Sequence, residues 1–391
     1  SDEWFALSQS GVQAGYGATW VQLPGDEFRV VVAYTEPGSP ATAPAINLMR
    51  GTEVLQVDGI NLADVDTQAE FDAVVAGLFP AGINAAHSFG FRDAGSQTTR
   101  FVTMVSANIT SVPVPPPTTV QTNTGVVGYL LFNDHIATAE AALINAISSL
   151  QAASVTDLVL DIRYNGGGFL DIANEIAFMI AGSGRTTGQT FERLEFNDKY
   201  PNSNPVTGQS PTRQFLSASV GFSPSVPVGT PLPSLNLNRV FVLTGPGTCS
   251  ASEAIINSLR GVDVQVIQIG STTCGKPYGF YPTDNCGTTF FTIQFRGVNA
   301  KNFGEYPDGF SPQNTTSTGG VRIPGCSVAD DFQHALGDPA EGRFAAALGY
   351  RVGLTCTVPP SGMAKSASGV PLPADGVMYK SPWLENRILR D

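Results

Sequence analysis

A serine and a lysine, each beside a turn, are the clearest candidates for chemistry in this chain. Ser250 lies in the segment 248–253 (TCSASE), and Lys276 lies in 274–279 (CGKPYG). A serine hydroxyl becomes a nucleophile when a base takes its proton, and a lysine amine in a dehydrated pocket can be that base. The pair therefore indicates covalent catalysis by Ser250 with Lys276 as general base. The alternative interpretation of Lys276 is an ordinary solvated lysine.

The local sequence around Ser250 supports two different roles. Ser250 follows the apolar segment 240–244 and a Gly-Pro-Gly turn, and a helical pattern begins directly after it. The first N–H groups of a helix have no partner within it and can stabilise an oxyanion. The same residues also form a capping-box pattern, in which Ser250 caps the helix and Glu253 reaches back. Catalysis and capping both fit the segment taken alone.

A glycine run gives a third feature. The segment 161–168 (DIRYNGGG) ends one predicted strand and precedes a predicted helix. Three glycines allow the backbone to approach a ligand closely with its N–H groups forward, so the run could complete an oxyanion hole. The alternative is a tight strand-to-helix turn. A phosphate loop does not fit, because no Gly-Lys-Ser/Thr follows the run.

The elements that must position these residues fall into two units separated by a proline-rich segment. Strands over 28–34, 51–59 and 98–105 with a helix over 67–78 predict a compact first unit. Consecutive prolines at 115–117 mark a boundary, because they continue neither a helix nor a central strand. The predicted domains are an N-terminal segment 1–13, a first unit 14–110, a linker 111–124, a core 125–358 with an insertion 184–237, and a tail 359–391.

Strands and helices alternate after the linker, which predicts an α/β core with a mixed or largely parallel sheet. The predicted strands are 126–132, 158–162, 240–244 and 264–269, followed by a hairpin-like stretch 288–295. The predicted helices are 138–150, 171–181, the segment after Ser250, and a short one around 330–336. The insertion is rich in Gly, Pro, Asn, Ser and Thr, and it is either a lid or a surface loop.

Composition narrows the classes of partner. The chain has 21 Lys and Arg against 33 Asp and Glu, a net charge of −12 that repels nucleic acid and anionic membrane surfaces. No apolar run is long enough for a membrane span. The three histidines His87, His135 and His334 have no metal-binding spacing, so neither a metal nor a cofactor is expected. His135 is interpreted as polar surface, with a role as an alternative base as the competing view.

The five cysteines predict disulfides rather than a zinc site, since they form no CxxC pair or Cys/His cluster. The expected pairing is Cys326–Cys356 plus one link among Cys249, Cys274 and Cys286. Disulfides, few charged residues and a first residue that is Ser favour an exported, processed protein in an oxidising compartment. Cys249 is expected to pack or to form a disulfide, with a thiol nucleophile as the lesser alternative.

In this order, the glycine run, the Ser250 segment and the Gly275-Lys276 segment, all behind a PDZ-like unit, resemble the C-terminal processing (tail-specific) serine peptidases. The resemblance implies a ClpP/crotonase-like α/β core preceded by a PDZ-like α+β domain. It implies that Ser250 is the nucleophile and Lys276 the base, and that the backbone of Ala251, Gly167 and Gly168 binds the oxyanion. Gly15, Tyr16 and Gly17 stand where a PDZ domain binds a carboxylate. The implied partner is a peptide or an unfolded protein C-terminus, in the bacterial periplasm or cell envelope, with no oligomeric state specified.

One residue departs from the family pattern. Members of the family carry a glutamine four residues after the lysine, and this chain has Phe280 there. Tyr278, Gln294 or main chain must then position the lysine, or catalysis is impaired. The competing hypotheses are therefore a peptide-binding protein with a degenerate peptidase core, and an esterase-like hydrolase that uses the same dyad without residues 14–110.

Overall fold

Two sheets with separate hydrophobic cores organise the chain. The computed structural model describes residues 7–25 and 27–357, together with the backbone of residues 376–377 and 387–388. In the first 110 residues the strands are β1 (Val12–Gly15), β2 (Ala18–Leu23), β3 (Arg29–Thr35), β4 (Glu53–Val57), β5 (Ile60–Asn61), β6 (Ala86–Arg92), β7 (Thr99–Val105) and β8 (Ala107–Thr110). The same part contains helix α1 (Gln68–Leu78) and two 3₁₀ turns, Pro40–Thr42 and Leu62–Asp64.

The remaining elements build the larger unit, except that strand Gly376–Val377 joins the sheet of the first unit. Its strands are β9 (Thr118–Thr122), β10 (Gly125–Leu131), β11 (Asp157–Asp161), β12 (Gly168–Phe169), β13 (Thr190–Glu195), β14 (Thr212–Gln214), β15 (Arg239–Thr244), β16 (Gln265–Gly270), β17 (Tyr278–Gly279), β18 (Thr283–Asn285), β19 (Thr288–Phe290), β20 (Phe295–Val298), β21 (Phe310–Pro312), β22 (Val321–Ile323), β23 (Gly325–Ser327), β24 (Gly376–Val377) and β25 (Arg387–Ile388). Its helices are α2 (Ala139–Ala152), α3 (Leu170–Ala181), α4 (Ser183–Thr186), α5 (Ala251–Gly261) and α6 (Gly342–Arg351).

The first unit is an antiparallel sheet packed against one helix. The strand order is β24-β2-β3-β4-β6-β7, and β5 pairs with β4. Trp20 stacks with Phe89 and Phe91 in its core, and the Trp20 indole N–H donates to the carbonyl of Leu78 at the end of α1. Thr67 begins α1 with a capping box completed by Glu70. This sheet and helix are consistent with a PDZ-like domain, which stays a prediction.

The core sheet of the second unit confirms the α/β prediction. Its strand order is β23-β16-β15-β11-β10-β9, and every neighbouring pair is parallel except β9 with β10. Successive side chains of a strand point to opposite faces. Leu160 and Val242 therefore face the layer of α2, α3 and α5, whereas Val159 and Phe241 face the layer of α6.

The parallel arrangement brings three chain segments to one edge of the sheet. In open α/β sheets, binding sites lie at the carboxyl ends of the strands. Here β11 ends at Asp161, β15 at Thr244 and β16 at Gly270. The glycine run, Ser250 and Lys276 follow these three strands in turn, so the topology gathers all three motifs at the same edge.

A buried ion-pair network joins the two units behind this edge. Arg163 is fully buried and pairs with Asp161, Glu341 and Asp330 at 2.9, 2.8 and 2.7 Å. Arg50, from the first unit, also reaches Asp330 at 2.7 Å. Burial alone would raise the pKa of Asp330, but the guanidinium groups of Arg343, Arg163 and Arg50 hold it below its ordinary value.

The same network explains why the predicted helix around residues 330–336 is wrong. The backbone carbonyls of Asp331 and His334 accept hydrogen bonds from the Arg50 guanidinium instead of from helical N–H groups. The Asp331 carboxylate accepts the N–H groups of Gln333 and Gly342. The segment therefore follows its side-chain contacts and contains no helix.

The insertion 184–237 contains more regular structure than its composition predicts. It includes β13, which pairs with β14 and β20 in a four-stranded sheet completed by β17. The register of β13 against β14 shifts between Thr190 and Glu192. A bulge interrupts the two-residue alternation by which a strand is recognised in a sequence, so β13 was missed.

The cysteine prediction is confirmed. Disulfides join Cys326 to Cys356 and Cys249 to Cys274, and Cys286 is an exposed free thiol. Within the part of the chain that the structure describes, no helix is both long and apolar enough to cross a bilayer.

Two buried carboxyl groups anchor the insertion to the helices beneath it. Glu175 on α3 accepts the N–H of Val220, and Glu140 on α2 accepts the N–H groups of Gly221 and Ser223. Burial, together with the negative charge of Glu140, raises the pKa of Glu175 to about 8. The folded chain therefore keeps a proton on this pair at a pH at which an exposed glutamate is ionised.

Replacing Glu175 with glutamine is expected to change how stability depends on pH. The folded chain holds a proton that the unfolded chain releases above about pH 4.5, so the Glu175 contribution to stability falls as pH rises and levels off near pH 8. Glu175→Gln keeps the carbonyl acceptor and removes this titration. Thermal melts at several pH values should show the variant gaining on the native protein between about pH 5 and 8, whereas Glu305→Gln, at an exposed site, should not. A constant difference between native and variant would contradict the assignment.

Candidate active site

Ser250 occupies a strained elbow between β15 and α5. Its backbone has φ 58° and ψ −111°, a conformation that non-glycine residues rarely adopt. The turn before it is tight, since a Cβ on Gly245 would lie 2.6 Å from the carbonyl oxygen of Arg163. Thr248 locks the turn by accepting the N–H of Gly245 and donating to the carbonyl of Ile162. A serine on a sharp strand-to-helix turn is the geometry of a nucleophile elbow.

The Ser250 hydroxyl takes no part in the hydrogen bonds that hold the described part of the fold together. Oγ is buried and has no hydrogen-bond partner among the described residues, and Ser250 makes no side-chain cap although it precedes α5. Only the reverse half of the predicted capping box forms, because Glu253 accepts the N–H of Ser250 at 3.0 Å. A strained serine with an unpartnered hydroxyl favours a reactive role over a capping role.

Glu253 connects the elbow to the lysine loop. Its Oε2 accepts the backbone N–H groups of both Ser250 and Lys276, at 3.0 and 2.8 Å. Its Oε1 accepts the N–H of Gly275 at 2.8 Å and the hydroxyl of Thr273 at 2.5 Å. Burial raises the pKa of this carboxyl against the opposing effect of these hydrogen bonds. One carboxylate thereby holds the backbones of Ser250 and Lys276 two hydrogen-bond lengths apart.

The amine of Lys276 lies next to Phe280. The side chain is half-buried, and Nζ is 5.8 Å from the centroid of the Phe280 ring. No hydrogen bond joins it to Ser250 Oγ. Gln294 Oε1 accepts the N–H of Tyr281, Tyr278 is exposed, and the Lys276 N–H donates to Glu253. Positioning of the amine by Tyr278, Gln294 or main chain stays a prediction.

The glycine run packs directly against the elbow. The carbonyl of Asn165 accepts the N–H of Cys249 at 3.1 Å and the hydroxyl of Ser252 at 3.0 Å. The Asn165 side chain accepts the N–H of Gly167 at 3.0 Å. Gly168 has φ 141°, and a Cβ there would lie 2.6 Å from the carbonyl oxygen of His135. The structure thus brings the predicted oxyanion residues Gly167, Gly168 and Ala251 into one neighbourhood.

The interpretation of His135 as polar surface is wrong. Its side chain is fully buried, and Nδ1 lies 2.9 Å from Oδ1 of Asn165. Asn165 donates through Nδ2 to the carbonyl of Phe132 and accepts through Oδ1 from Gly167, so its Oδ1 is an acceptor. His135 Nδ1 is therefore the protonated nitrogen. In the sequence, the signal was a histidine directly after an apolar strand that ends beside the glycine run.

The residues Gly15, Tyr16 and Gly17 lie elsewhere, in the turn between β1 and β2. Gly17 has φ 75° and packs so tightly against Ser39 that a Cβ would lie 2.2 Å from the Ser39 Cβ. The edge of β2 that follows this turn is paired with β24, antiparallel, at Val21 and Gln22. Carboxylate binding by this turn stays a prediction.

Two further observations concern ligands of this edge. The backbone of β25 runs parallel to β12, so an extended segment lies against Gly168 and Phe169. Cys249, Glu253 and Cys274 have possible metal-ligand atoms within 4.8 Å of one another. The two sulfurs are joined in a disulfide, which removes the thiolates that would bind a metal.

Comparison with known proteins agrees with this geometry. Residues 125–281 match the family described as peptidase family S41. These matched residues, which we call the S41 core after the family they resemble, contain the glycine run, the elbow and the lysine loop.

Two curated relatives are similar in sequence over most of the chain. A carboxyl-terminal-processing peptidase 3, chloroplastic, from Arabidopsis thaliana is 24% identical over 70% of this chain and 47% of its own length. A carboxyl-terminal-processing protease from Picosynechococcus sp. is 27% identical over 69% of this chain and 56% of its own length. The chain therefore spans about half the length of the curated relatives it matches.

A solved structure shares the fold. An S41 protease from Bacteroides fragilis superposes with a TM-score of 0.63 at 22% identity, covering 90% of this chain and 88% of the other. The likeness therefore extends across both units.

Removing one charge at Glu253 is expected to destabilise the S41 core. Each carboxylate oxygen accepts hydrogen bonds from two groups, so either orientation of an amide in Glu253→Gln places an NH₂ against N–H or hydroxyl donors. Unfolding in denaturant should show a loss of roughly 2–4 kcal/mol. The same change at Glu70, which completes a surface capping box, is the matched control and should lose less than about 1 kcal/mol. Equal losses at both positions would contradict the role of Glu253.

Proposed function

We propose that this protein is a serine endopeptidase that cleaves peptides or extended protein C-terminal segments through an acyl-enzyme. The observation that carries the proposal is the conformation of Ser250, a strained elbow with a buried hydroxyl that serves no structural bond. The match of residues 125–281 to peptidase family S41 supports the reaction class. The names of the curated relatives support carboxyl-terminal segments as substrates.

The chemistry assigns a role to each group at the edge of the sheet. The amine of Lys276, once neutral, takes the proton of Ser250 Oγ as the oxygen attacks the peptide carbonyl. The N–H groups of Ala251 and Gly168 stabilise the oxyanion; the predicted contribution of Gly167 is positional, because its own N–H donates to Asn165. The protonated lysine then gives its proton to the leaving amine, and water releases the acyl group by the reverse sequence. The reaction needs neither metal nor cofactor.

An extended peptide fits the edges at which substrate would bind. Strands added to an exposed sheet edge are a recurrent way of binding peptides. In this chain β25 pairs with β12 beside the glycine run, and β24 pairs with β2 after the Gly15–Gly17 turn. Both edges therefore hold extended backbone of this chain. We propose that the substrate backbone replaces β25 along β12 and that the substrate carboxylate binds at the Gly15–Gly17 turn.

The cellular location belongs to the same proposal. Two disulfides support an exported protein, in the bacterial periplasm or cell envelope. Its partner there is a peptide or an unfolded protein C-terminus. The net charge of −12 argues against nucleic acid as a ligand.

A second candidate function is peptide binding without cleavage. It is favoured by Phe280 beside the lysine, because an aromatic face attracts the ammonium cation rather than the neutral amine that a base requires. The alternative base His135 is also to be tested, since it is buried beside the glycine run with Nδ1 2.9 Å from Oδ1 of Asn165. Both alternatives give results that differ from those of a Ser/Lys dyad.

Cleavage of unstructured polypeptides by four purified forms of the chain separates these possibilities. Ser250→Ala should reduce kcat/KM at least about 1,000-fold, and Lys276→Met, which keeps the length of the side chain, about 100-fold or more. His135→Gln should retain activity within about threefold if it acts only in packing. Circular dichroism checks that each variant is folded.

Each other outcome has a definite meaning. Loss of activity in His135→Gln with retention in Lys276→Met would identify the histidine as base and overturn the dyad. Activity that survives Ser250→Ala would refute the nucleophile. Binding of a labelled peptide without cleavage by the native chain would establish the second candidate.

A further inference from the structure

The disulfide between Cys249 and Cys274 joins the two chain segments that carry the residues of the proposed dyad. Cys249 directly precedes Ser250, and Cys274 lies two residues before Lys276. The bond joins positions 25 residues apart, with Cα atoms 5.2 Å from each other. It is therefore a covalent link between the elbow and the lysine loop.

We propose that this disulfide is a positioning device, which holds the elbow and the lysine loop in register and whose reduction lowers the activity reversibly. The proposal rests on the function proposed above, because it concerns the same site. Cys249 and Cys274 are positioning residues in this account, since neither takes part in the reaction.

The lysine loop lacks the regular structure that would otherwise fix it. Residues 271–277 connect β16 to β17 and contain neither helix nor strand. Their contacts with the elbow are the Cys274 N–H to the carbonyl of Thr248 at 3.0 Å and the bonds to the Glu253 carboxylate. The disulfide crosses the same junction, since both sulfurs lie within 4.8 Å of a Glu253 oxygen. Covalent and hydrogen-bonded ties thus act at one place.

The elbow needs such support because Ser250 is held in a strained conformation. A residue in a sparsely populated region of φ and ψ persists only when its surroundings hold it there. On one side, the N–H of Cys249 is bound by Asn165. On the other side, the Cys249 side chain is bound by the disulfide. Displacements of about 1 Å between reacting groups can lower rates about 100-fold, so loss of the covalent tie should appear in kcat.

The two ends of the bond differ in burial, since Cys249 is buried and the residue Cys274 is exposed. We expect a reductant to approach from the Cys274 side. A thiolate of an added dithiol can attack Sγ of Cys274, and Cys249 leaves with the electron pair and takes up a proton. The second thiol of the dithiol then displaces Cys274, so the dithiol is oxidised to a cyclic disulfide and both cysteines end as thiols. An oxidised dithiol reverses the exchange.

The second disulfide supplies a matched control within the same chain. Cys326 lies on β23, the edge strand beside β16, and packs in the layer of α6 together with Cys356. The bond between these two cysteines joins neither the elbow nor the lysine loop to another segment. Its loss should lower stability without a specific effect on the dyad.

The experiment compares three proteins in a Cys286→Ser background, which removes the free thiol. These are the parent, the double variant Cys249→Ala/Cys274→Ala and the control Cys326→Ala/Cys356→Ala. On an unstructured polypeptide, the first double variant should lose about 10- to 100-fold in kcat with KM nearly unchanged. The control should keep kcat within about threefold. Dithiothreitol should lower the activity of the parent and of the control, and oxidised dithiothreitol should restore it.

A second readout does not depend on activity. Amide hydrogen exchange at Gly275 and Lys276, whose N–H groups donate to Glu253, should speed up in the Cys249→Ala/Cys274→Ala variant and not in the control. Native-like kcat together with unchanged exchange would overturn the proposal. Loss of activity that follows global unfolding in both double variants would overturn it as well. If the parent cleaves nothing while exchange responds as expected, the tether stands and the peptidase function fails.

Discussion

The carboxylate of Glu253 is the interaction on which the proposed site depends. It lies in the first turn of α5 and is buried, and no ion pair joins it to another of the residues that the structure describes. Backbone N–H groups from two chain segments satisfy it instead. Because a buried carboxylate must keep such donors, the elbow and the lysine loop cannot separate without exposing a charge. The position of the Lys276 backbone relative to Ser250 thus follows from the hydrogen bonds that the buried Glu253 carboxylate requires.

The Arg163 network plays the corresponding role for the glycine run. Arg163 precedes this run, and its guanidinium is neutralised by carboxylates from β11 and from the segments that lead to α6. Asp330 also forms an ion pair with Arg50 of the first unit. One carboxylate therefore contacts both the segment before the glycine run and the junction between the two units. Asn165 connects the glycine run to its neighbours, because its carbonyl accepts the N–H of Cys249 in the elbow and its side chain contacts His135. The two buried acids, Glu253 and Asp330, explain why loops without regular structure hold fixed positions.

The sequence predicted what local patterns determine and missed what distant partners determine. Apolar strands of the parallel sheet, the helix after Ser250 and the Cys326–Cys356 disulfide were predictable from periodicity, turn residues and cysteine count, whereas the second disulfide was narrowed only to three cysteines. The segment around residue 330 has a helical composition, but Arg50, far away in the chain, takes its carbonyls. His135 was interpreted as polar surface because its partner, Asn165, lies 30 residues later in the chain. The bulge in β13 interrupts the alternation that would have predicted a strand there. The strain at Ser250 is a property of the backbone, which cannot be read from the residue type.

The central claim is that Ser250 is a nucleophile activated by its place in the elbow, and covalent labelling tests it most directly. The folded chain would be treated with a serine-reactive fluorophosphonate, and the adduct located by intact mass and peptide mapping. The account predicts one equivalent of label on Ser250, none after Ser250→Ala, and slower labelling when Glu253 is replaced by glutamine. Label on another residue, or undiminished labelling of the Ser250→Ala protein, would contradict it.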